Sequence, residues 1–457
     1  MSRRLHISTR IAVLLALFCL GAFAEDRYLV KVTGDINGVA RRCGLTLVKS
    51  LTGSASGYYV LASNGAPWQT VLHNLSMDSA VKSAESEKPV WLPGKKPPVP
   101  VQPASTPAAG LRIPSTPIRY YDTWAASGYV NQPATGVINL DKALTLATGE
   151  GVVVATIDTG VDFSHPVLNR SLIRGYDFVH NAPGGQEIAD TNQETTPILD
   201  QETTPILDID SDQETTPILD GGTLIVLQQE TTPILDQETT PILDGKKYPD
   251  YGHGTAVAGL IHLVAPEAKI MPLRAFGANG SASVSQIVSA ISYAVDHHVD
   301  VINMSFSIQA DSPALAAALT AATNAGIVCV ASAGNGGGNL PVWPAAYDNV
   351  MGVAGTNNSM VRSTWSNYGS PLVTLAAPDE GIITTYPAQH YAQVSGTSFS
   401  APQVSGAAAL LVDINKRTNE SLAASELTSS ARHALSTGLG AGELDAYQAC
   451  VTAKRKN

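Results

Sequence analysis

The segment Gly151-Val-Val-Val-Ala-Thr-Ile157, followed by Asp158-Thr-Gly160, decides the fold of this chain. Its run of β-branched and apolar residues lacks polar alternation, which predicts a strand buried on both faces, as in a parallel sheet. Asp158 then lies at the carboxyl end of the strand, the edge where open α/β sheets hold their functional sites. The sequence therefore predicts an α/β domain with a carboxylate at that edge.

Two further segments supply a base and a hydroxyl. Gly252 to Gly259 reads Gly-His-Gly-Thr-Ala-Val-Ala-Gly, so His253 would begin a helix of small residues that can pack closely against a neighbour. Gly396 to Pro402 reads Gly-Thr-Ser-Phe-Ser-Ala-Pro, a tight turn before a helix that tolerates proline in its first turn. Alone, Gly-Thr-Ser turns are common and an aspartate ending a strand is usually a turn or cap residue. Together, the three segments predict a nucleophile with an oriented base.

The order Asp158, His253, Ser398 within these motifs resembles the subtilisin-like serine proteases, for which this order is a known property. The resemblance runs from about Tyr129 to Gln448. It also rests on five other segments: Asn131–Pro133, Val301–Ser305, Ala331–Asn335, Ser366–Gly369 and Gly440–Ala446. It implies a three-layer α/β domain with a mostly parallel sheet, preceded by a small α+β propeptide domain.

The resemblance also implies a role for each site residue. Ser398 would attack the scissile carbonyl, His253 would carry the proton, and Asp158 would orient the imidazole. The implied oxyanion donor is Asn335, and the implied substrate-binding residues are Ser305, Phe306, Ser307 and Gly334. Protein or peptide substrates are expected, no cofactor is required, and no metal is assigned to the site.

Three positions depart from the family pattern. Ser307 stands where many relatives have glycine, so its side chain is expected to narrow the substrate cleft. Val167 stands where relatives often carry a calcium-ligating aspartate, so a structural calcium ion has no clear site. Other acids that could contribute are Asp162, Asp177 and Asp190, although surface acids are usually only solvated. Asp379 replaces a common glycine for no reason visible in the sequence.

The chain before the peptidase region predicts three segments. Arg3 and Arg4, an apolar run and Ala22-Phe-Ala24 are typical of a secretory signal peptide, and its apolar stretch is too short for a membrane anchor. The predicted domains are a signal peptide (1–24), a propeptide-like domain (25–92), a Pro-rich linker (93–118) and a peptidase domain (119–450). We expect processing within 83–115 and a secreted protein, extracellular or periplasmic.

The propeptide-like domain is predicted mainly from its position. Strands are expected at Tyr28–Val32, Tyr58–Leu61 and Ala80–Ala84, and helices at Gly38–Cys43 and Trp68–Leu75, in a β-α-β-β-α-β order. Such a domain would act as an intramolecular inhibitor. Outside the signal segment the cysteines are Cys43, Cys329 and Cys450; Cys329 is expected to be an inert core residue, with a Cys329–Cys450 bond as the alternative.

A repeat block interrupts the peptidase region. Gln-Glu-Thr-Thr-Pro-Ile-Leu-Asp occurs five times without change within Gln193–Asp244. The block carries twelve acids and no Lys or Arg, so the net charge of −11 comes from it, and the rest of the chain has 27 acids and 28 bases. Proline and β-branched threonines predict an extended or disordered loop. A neutral expansion, an adhesive tract and a self-cleaved gate over the cleft remain as alternatives.

These patterns favour a secreted serine endopeptidase that processes its own precursor. The rival class is a display protein whose protease domain is a scaffold for the repeats, although no member of the predicted triad is missing. An esterase is disfavoured because Gly396-Thr-Ser398-Phe-Ser400 lacks the second glycine of the Gly-x-Ser-x-Gly turn. No basic stripe indicates a nucleic-acid partner, and we expect a monomer without a membrane anchor.

Overall fold

The computed structural model describes residues 26–87, 89–92, 116–187, 225–228 and 250–456. The predicted signal peptide, most of the linker and most of the repeat block lie outside the described residues. The described residues divide into two compact units. One contains 26–51 and 56–87, and the other contains 52–55 and everything from 89 onwards.

The smaller unit has the predicted β-α-β-β-α-β order. Its elements are β1 (Arg27–Val32), α1 (Ile36–Cys43), β2 (Leu45–Ser50), β3 (Tyr58–Ser63), α2 (Trp68–Met77) and β4 (Val81–Ser86). The strands form one antiparallel sheet in the order β2-β3-β1-β4. Its core joins alternate strand residues such as Tyr28 and Val30 to helix residues such as Val39 and Leu75. The prediction of a small α+β domain is confirmed.

The larger unit begins with short elements and continues into alternating strands and helices. Its strands are β5 (Pro89–Trp91), β6 (Pro117–Tyr120), β7 (Thr123–Ala126), β8 (Val153–Asp158), β9 (Gly175–Asp177), β10 (Ala182–Gly184), β11 (Ile225–Gln228), β12 (Lys269–Arg274), β13 (Ser281–Ser283), β14 (Val301–Met304), β15 (Val328–Ser332), β16 (Met351–Thr356), β17 (Leu375–Pro378), β18 (Ile382–Tyr386) and β19 (His390–Ser395). Its helices are α3 (Ser127–Val130), α4 (Pro133–Val137), α5 (Leu140–Ala143), α6 (His253–Val264), α7 (Val284–Asp296), α8 (Pro313–Asn324), α9 (Ala401–Ile414), α10 (Glu420–Ser430) and α11 (Ala446–Lys456).

The central sheet has eight strands in the order β10-β9-β12-β8-β14-β15-β16-β17. All neighbours are parallel except the edge pair β10–β9. The predicted strand is β8, at an interior position of the sheet, and Val154, Ala155 and Ile157 are fully buried. The three-layer α/β fold with a mostly parallel sheet is therefore confirmed.

Helices cover this sheet in two groups. Helices α6, α9 and α11 pack together, and their apolar residues share a core cluster with strand residues such as Val154 and Val330. Helices α7 and α8 pack against each other and contact β8 and β15 respectively. As in other α/β proteins, continuous apolar strands need helices on both faces. Among the described residues, no helix combines the length and apolar content needed to cross a membrane.

The repeat block contributes one described element. Strand β11 (Ile225–Gln228) pairs in parallel with β19, with Gln228 opposite Ser395. The sequence predicts a disordered or loosely extended loop for the block, and at these four residues the structure has a paired strand instead. They lie between repeat copies, where Leu224 to Leu227 form a contiguous run of leucine and β-branched residues that favours a strand.

Candidate functional site

Asp158 is held rigidly at the carboxyl end of β8. The residue is 1% exposed, and its Oδ1 accepts a hydrogen bond of 2.8 Å from the Thr159 backbone N–H. Its carbonyl oxygen accepts hydrogen bonds from the backbone N–H groups of Ala275 and Phe276, which follow the neighbouring strand β12. The sequence prediction that this carboxylate lies at the strand edge is confirmed.

His253 is the first residue of α6, as the sequence predicts. The preceding residue, Gly252, has φ 90°, and a Cβ there would lie 2.1 Å from Cε2 of Tyr386, so only glycine fits this turn. The turn directs the His253 ring to Asp158, and Nδ1 lies 2.8 Å from the Asp158 Oδ1. The ring is 4% exposed, so this pair is shielded from water.

The electrostatic environment of His253 favours the imidazolium. Burial alone would lower the pKa of the ring. The charge of Asp158 and its hydrogen bond, together with the charges of Asp250 and Glu187, outweigh burial and raise the pKa above its usual value. A histidine in this setting can take up a proton while remaining oriented through Nδ1.

Ser398 lies in a short helical turn, Thr397–Phe399, that leads into α9. Its Oγ donates a hydrogen bond of 3.2 Å to the Ser305 carbonyl oxygen, and the Ser305 hydroxyl donates one of 2.8 Å to the Ser398 carbonyl oxygen. The ring of the next residue, Phe399, lies 5.5 Å from the His253 ring. Within the described part of the chain, His253 Nε2 has no hydrogen-bond partner. The structure thus places the serine turn beside the imidazole.

Asn335 lies against the same turn. Its Oδ1 accepts hydrogen bonds from the Thr397 backbone N–H at 2.9 Å and from the Thr397 hydroxyl at 2.8 Å. These bonds fix the orientation of the amide, because its oxygen must face Thr397. Its nitrogen is therefore directed away from Thr397.

The four predicted substrate-binding residues lie near the serine turn and differ in their burial. Ser305 and Phe306 are fully buried, and Phe306 packs against the ring of Phe276 at 5.2 Å. Ser307 and Gly334 lie close together: a Cβ at Gly334, whose φ is 89°, would lie 3.4 Å from the Ser307 Oγ. The Gly334 N–H donates to the Thr397 hydroxyl at 3.1 Å. Ser305 and Phe306 can thus offer substrate only backbone, whereas Ser307 is partly exposed.

Sequence reasoning missed a short strand that pairs with an extended segment. Residues Ser281–Ser283 pair antiparallel with Pro89–Trp91, and the Leu92 N–H donates to the Gly280 carbonyl oxygen at 3.0 Å. Val90 and Leu92 are each 2% exposed. The available signal was the capping box of Ser283 and Gln286, which marks the start of α7 and hence an extended segment before it.

Sequence reasoning also missed Glu187, a buried carboxyl group that binds residues adjacent to Asp158 and His253. Glu187 is 1% exposed and accepts hydrogen bonds from Thr159 and Thr255 hydroxyls and from the Gly252 backbone N–H. Burial raises the pKa of Glu187 to about 7, although these hydrogen bonds oppose the shift. No motif identifies this residue in the sequence.

The acids considered for calcium have other partners or lie outside the described residues. Asp177 binds the buried Arg274 guanidinium at 2.8 Å and His180 at 2.9 Å. Asp162 accepts hydrogen bonds from the N–H groups of Ser164 and Ala388, and 190 is not described. In the described ranges, no group of three or more His, Cys, Asp or Glu side chains is placed to hold a metal ion.

The three cysteines within the described residues carry no cross-link. Cys43, Cys329 and Cys450 are free thiols, so the alternative of a Cys329–Cys450 bond is wrong. Cys329 is fully buried in β15, and burial raises its thiol pKa well above the usual value. The prediction of an inert core cysteine agrees with this environment.

Comparison with known proteins places this site in a family. The model of the subtilase family matches residues 149–442, a range that contains the aspartate, the histidine and the serine. Thermitase of Thermoactinomyces vulgaris is 30% identical over 322 residues, which is 68% of this chain and 93% of thermitase. A thermophilic serine proteinase of Bacillus sp. (strain AK1) is 31% identical over 299 residues, 65% of this chain and 61% of that protein.

A solved structure agrees with the fold. Fervidolysin from Fervidobacterium pennivorans, described as a keratinolytic enzyme related to subtilisin, superposes with a TM-score of 0.66 at 20% identity, covering 94% of this chain and 62% of fervidolysin. The chain thus spans about three fifths of the Bacillus proteinase and of fervidolysin, and nearly all of thermitase. On the family match and the thermitase similarity, this chain belongs to the subtilase family of serine endopeptidases.

Proposed function

We propose that this chain hydrolyses peptide bonds through Ser398, His253 and Asp158. The observation that carries the proposal is the buried hydrogen bond of 2.8 Å between Asp158 Oδ1 and His253 Nδ1, next to the serine turn. A carboxylate at Nδ1 holds the tautomer whose Nε2 can accept a proton, and it stabilises the imidazolium that follows.

In the first step, the Ser398 Oγ forms a bond to the scissile carbonyl carbon while its proton moves to His253 Nε2. The Ser398 hydroxyl donates to Ser305 in the free protein, so it must rotate towards the imidazole when substrate binds. Such catalytic hydrogen bonds often form only in the substrate complex. His253 then gives the proton to the leaving amine, and water releases the acyl group by the same route.

The negative oxygen of the tetrahedral intermediate needs donors. The Asn335 side-chain N–H and the Ser398 backbone N–H are the proposed pair, because Thr397 already holds the Asn335 oxygen. Preformed donors of this kind stabilise the developing charge without reorganisation. The protein groups supply nucleophile, base and oxyanion donors, so we propose that no cofactor takes part.

The test compares hydrolysis of casein and of a chromogenic peptide by the purified chain and by Ser398→Ala. We expect the variant to lose at least about 1000-fold in kcat/KM, since removing the nucleophile removes covalent catalysis. Ser289→Ala is the control, because the Ser289 hydroxyl only donates to Ser285 within α7. Equal hydrolysis by the parent and by Ser398→Ala would exclude Ser398 as the nucleophile. Equal processing with no hydrolysis by either form would favour the display scaffold.

We further propose that the chain is secreted as a precursor and that its N-terminal part inhibits it until cleavage. The support is the antiparallel pairing of Pro89–Trp91 with Ser281–Ser283, with Val90 and Leu92 buried. Backbone pairing of an extended peptide with a strand is a common mode of peptide recognition. Ser281–Ser283 would then also bind substrate. N-terminal sequencing of the secreted protein should find a start within 83–115, and a stable start at Glu25 would contradict the proposal.

A further inference from the structure

Glu187 is a buried carboxyl group that the proposed chemistry does not use. Its Oε1 accepts hydrogen bonds from the Thr159 hydroxyl at 2.5 Å and from the Gly252 backbone N–H at 2.7 Å. Its Oε2 accepts one from the Thr255 hydroxyl at 2.7 Å. Three donors surround this buried carboxyl group, and each hydrogen bond offsets part of the free-energy cost of its burial.

The three donors belong to the two elements that hold the proposed acid and base. Thr159 directly follows Asp158 at the end of β8, and Gly252 directly precedes His253 at the start of α6. The Thr159 hydroxyl also accepts a hydrogen bond of 2.9 Å from the Gly254 backbone N–H. One side chain therefore connects the end of the strand to the first turn of the helix.

The start of α6 has few acceptors of its own. Its N-cap is Gly252, which has no side chain to accept from the first N–H groups of the helix. Thr159 accepts from one of these groups and Glu187 from the N–H of the cap residue itself. A negative charge near a helix N-terminus is also favourable to the helix dipole.

We propose that Glu187 is a positioning residue that holds Asp158 and His253 in register, through Thr159, Gly252 and Thr255, and whose charge supports the protonated imidazole. This inference rests on the proposed function and adds a positioning residue to its site. Glu187 does not touch the reacting atoms, so it acts through the residues that it binds and through its charge.

The charge part of the inference follows from the groups around the two side chains. Glu187 faces Asp158, Tyr251 and Tyr386, and His253 faces Asp158, Asp250 and Glu187. The Glu187 charge is one of those that raise the pKa of His253. The pKa of Glu187 is itself raised to about 7, so its charge acts in the pH range in which Glu187 is ionised. Within that range, removing the charge lowers the pKa of His253, and the acid limb of kcat/KM, which requires neutral histidine, moves to lower pH.

The test measures the His253 pKa without relying on hydrolysis. The full chain is labelled with ¹³C-histidine in the Ser398→Ala background, and the ring signals are titrated by NMR. Glu187→Gln should lower the His253 pKa by roughly half a unit. Glu443→Gln is the matched control: Glu443 is equally buried, burial raises its pKa to about 7, and it also accepts from a threonine, Thr356. That variant should leave His253 unchanged.

Steady-state kinetics of the protein that retains Ser398 supply the second readout. Glu187→Gln should lower kcat roughly 10-fold with little change in KM and should shift the acid limb downwards, because orientation is lost but substrate contacts are kept. A folded Glu187→Gln protein with an unchanged His253 pKa and acid limb would overturn the inference. If the parent chain hydrolyses nothing, the proposed function fails, while the NMR titration still decides the role of Glu187.

A variant that keeps the charge covers the case in which Glu187→Gln does not fold. Glu187→Asp withdraws the carboxylate by one methylene group. It should reduce kcat while the acid limb stays near that of the parent, because the charge remains but its hydrogen bonds lengthen. An unchanged kcat in Glu187→Asp would contradict the positioning role.

Discussion

The Asp379 carboxylate occupies the space that a side chain at residue 355 would fill: a Cβ on Gly355 would lie 1.8 Å from the Asp379 Oδ2. Asp379 is fully buried and accepts hydrogen bonds from the Ser363 hydroxyl and from the Trp365 indole N–H. Its carbonyl oxygen accepts from the Gly396 N–H, at the turn before Ser398. Because Gly355 has no side chain, there is space for the carboxylate of Asp379, the residue that the sequence left unexplained.

Asp379→Asn should change how stability depends on pH. Burial raises the pKa of Asp379 to about 8, whereas aspartate in an unfolded chain titrates near about 4. Between these values the folded state binds more protons, so this group lowers the free energy of unfolding as pH rises. Asparagine cannot ionise. We expect urea unfolding in the Ser398→Ala background to show that the free energy of unfolding of Asp379→Asn rises relative to that of its parent. The difference should grow by up to about 1.4 kcal/mol per pH unit.

The matched control is Asp348→Asn, the same change at an exposed position. Parallel stability curves for the parent and Asp379→Asn from pH 5 to pH 8 would show that Asp379 does not titrate in this range.

Gly254→Ala should move His253 on α6 away from Asp158 on β8. A Cβ there would lie 2.0 Å from the Gly160 carbonyl oxygen and 3.1 Å from the Asp158 Oδ1, so α6 must move away from β8. We expect kcat/KM to fall roughly 100-fold, because a displacement of about 1 Å is enough for such a loss. Gly136→Ala is the control, since a Cβ at Gly136 meets nothing within 4 Å. Equal activities of the two variants would refute the tight-packing argument.

Asn335→Leu should reduce turnover while binding is kept. One oxyanion donor is worth roughly 100- to 1000-fold in kcat, a range that comes from subtilisin itself. Because the Asn335 oxygen also anchors Thr397, Asn335→Asp serves as a comparison that keeps the acceptor but loses the donor. Steady-state kinetics on one peptide should show kcat low in both variants. A normal kcat in Asn335→Asp would exclude Asn335 as a donor.

A synthetic peptide of residues 86–92 should inhibit the mature enzyme competitively, because it can form the strand that Pro89–Trp91 makes with Ser281–Ser283. Replacing Val90 by aspartate in the peptide should raise Ki at least about 10-fold, since a buried valine contributes about 1.5–3 kcal/mol. A peptide with aspartate at Ser86 instead is the control, as it lies outside the pairing. Progress curves with equal Ki values for all three peptides would reject this binding mode.

The sequence predicted the elements of the site better than the contacts between them. The strand ending at Asp158 and the helix starting at His253 were readable, because burial on two faces and small residues at a helix start leave a clear local pattern. Glu187 was not, because a carboxyl group that binds Thr159 and Thr255 depends on long-range approach and has no local signature. Strand β11 was not predicted, because the proline and threonines of the flanking repeats indicate a loop.

The hydrogen bond between Glu187 and Gly252 has a consequence for the repeats in this chain. It joins two positions 65 residues apart at 2.7 Å, so the two ends of the segment that contains the repeats are held next to each other. The entropy of closing a chain segment grows slowly, by about 0.6 kcal/mol for each doubling of its length. Adding one more copy of the eight-residue unit to this segment therefore costs little closure entropy, while the hydrogen bond keeps both ends of the segment in place.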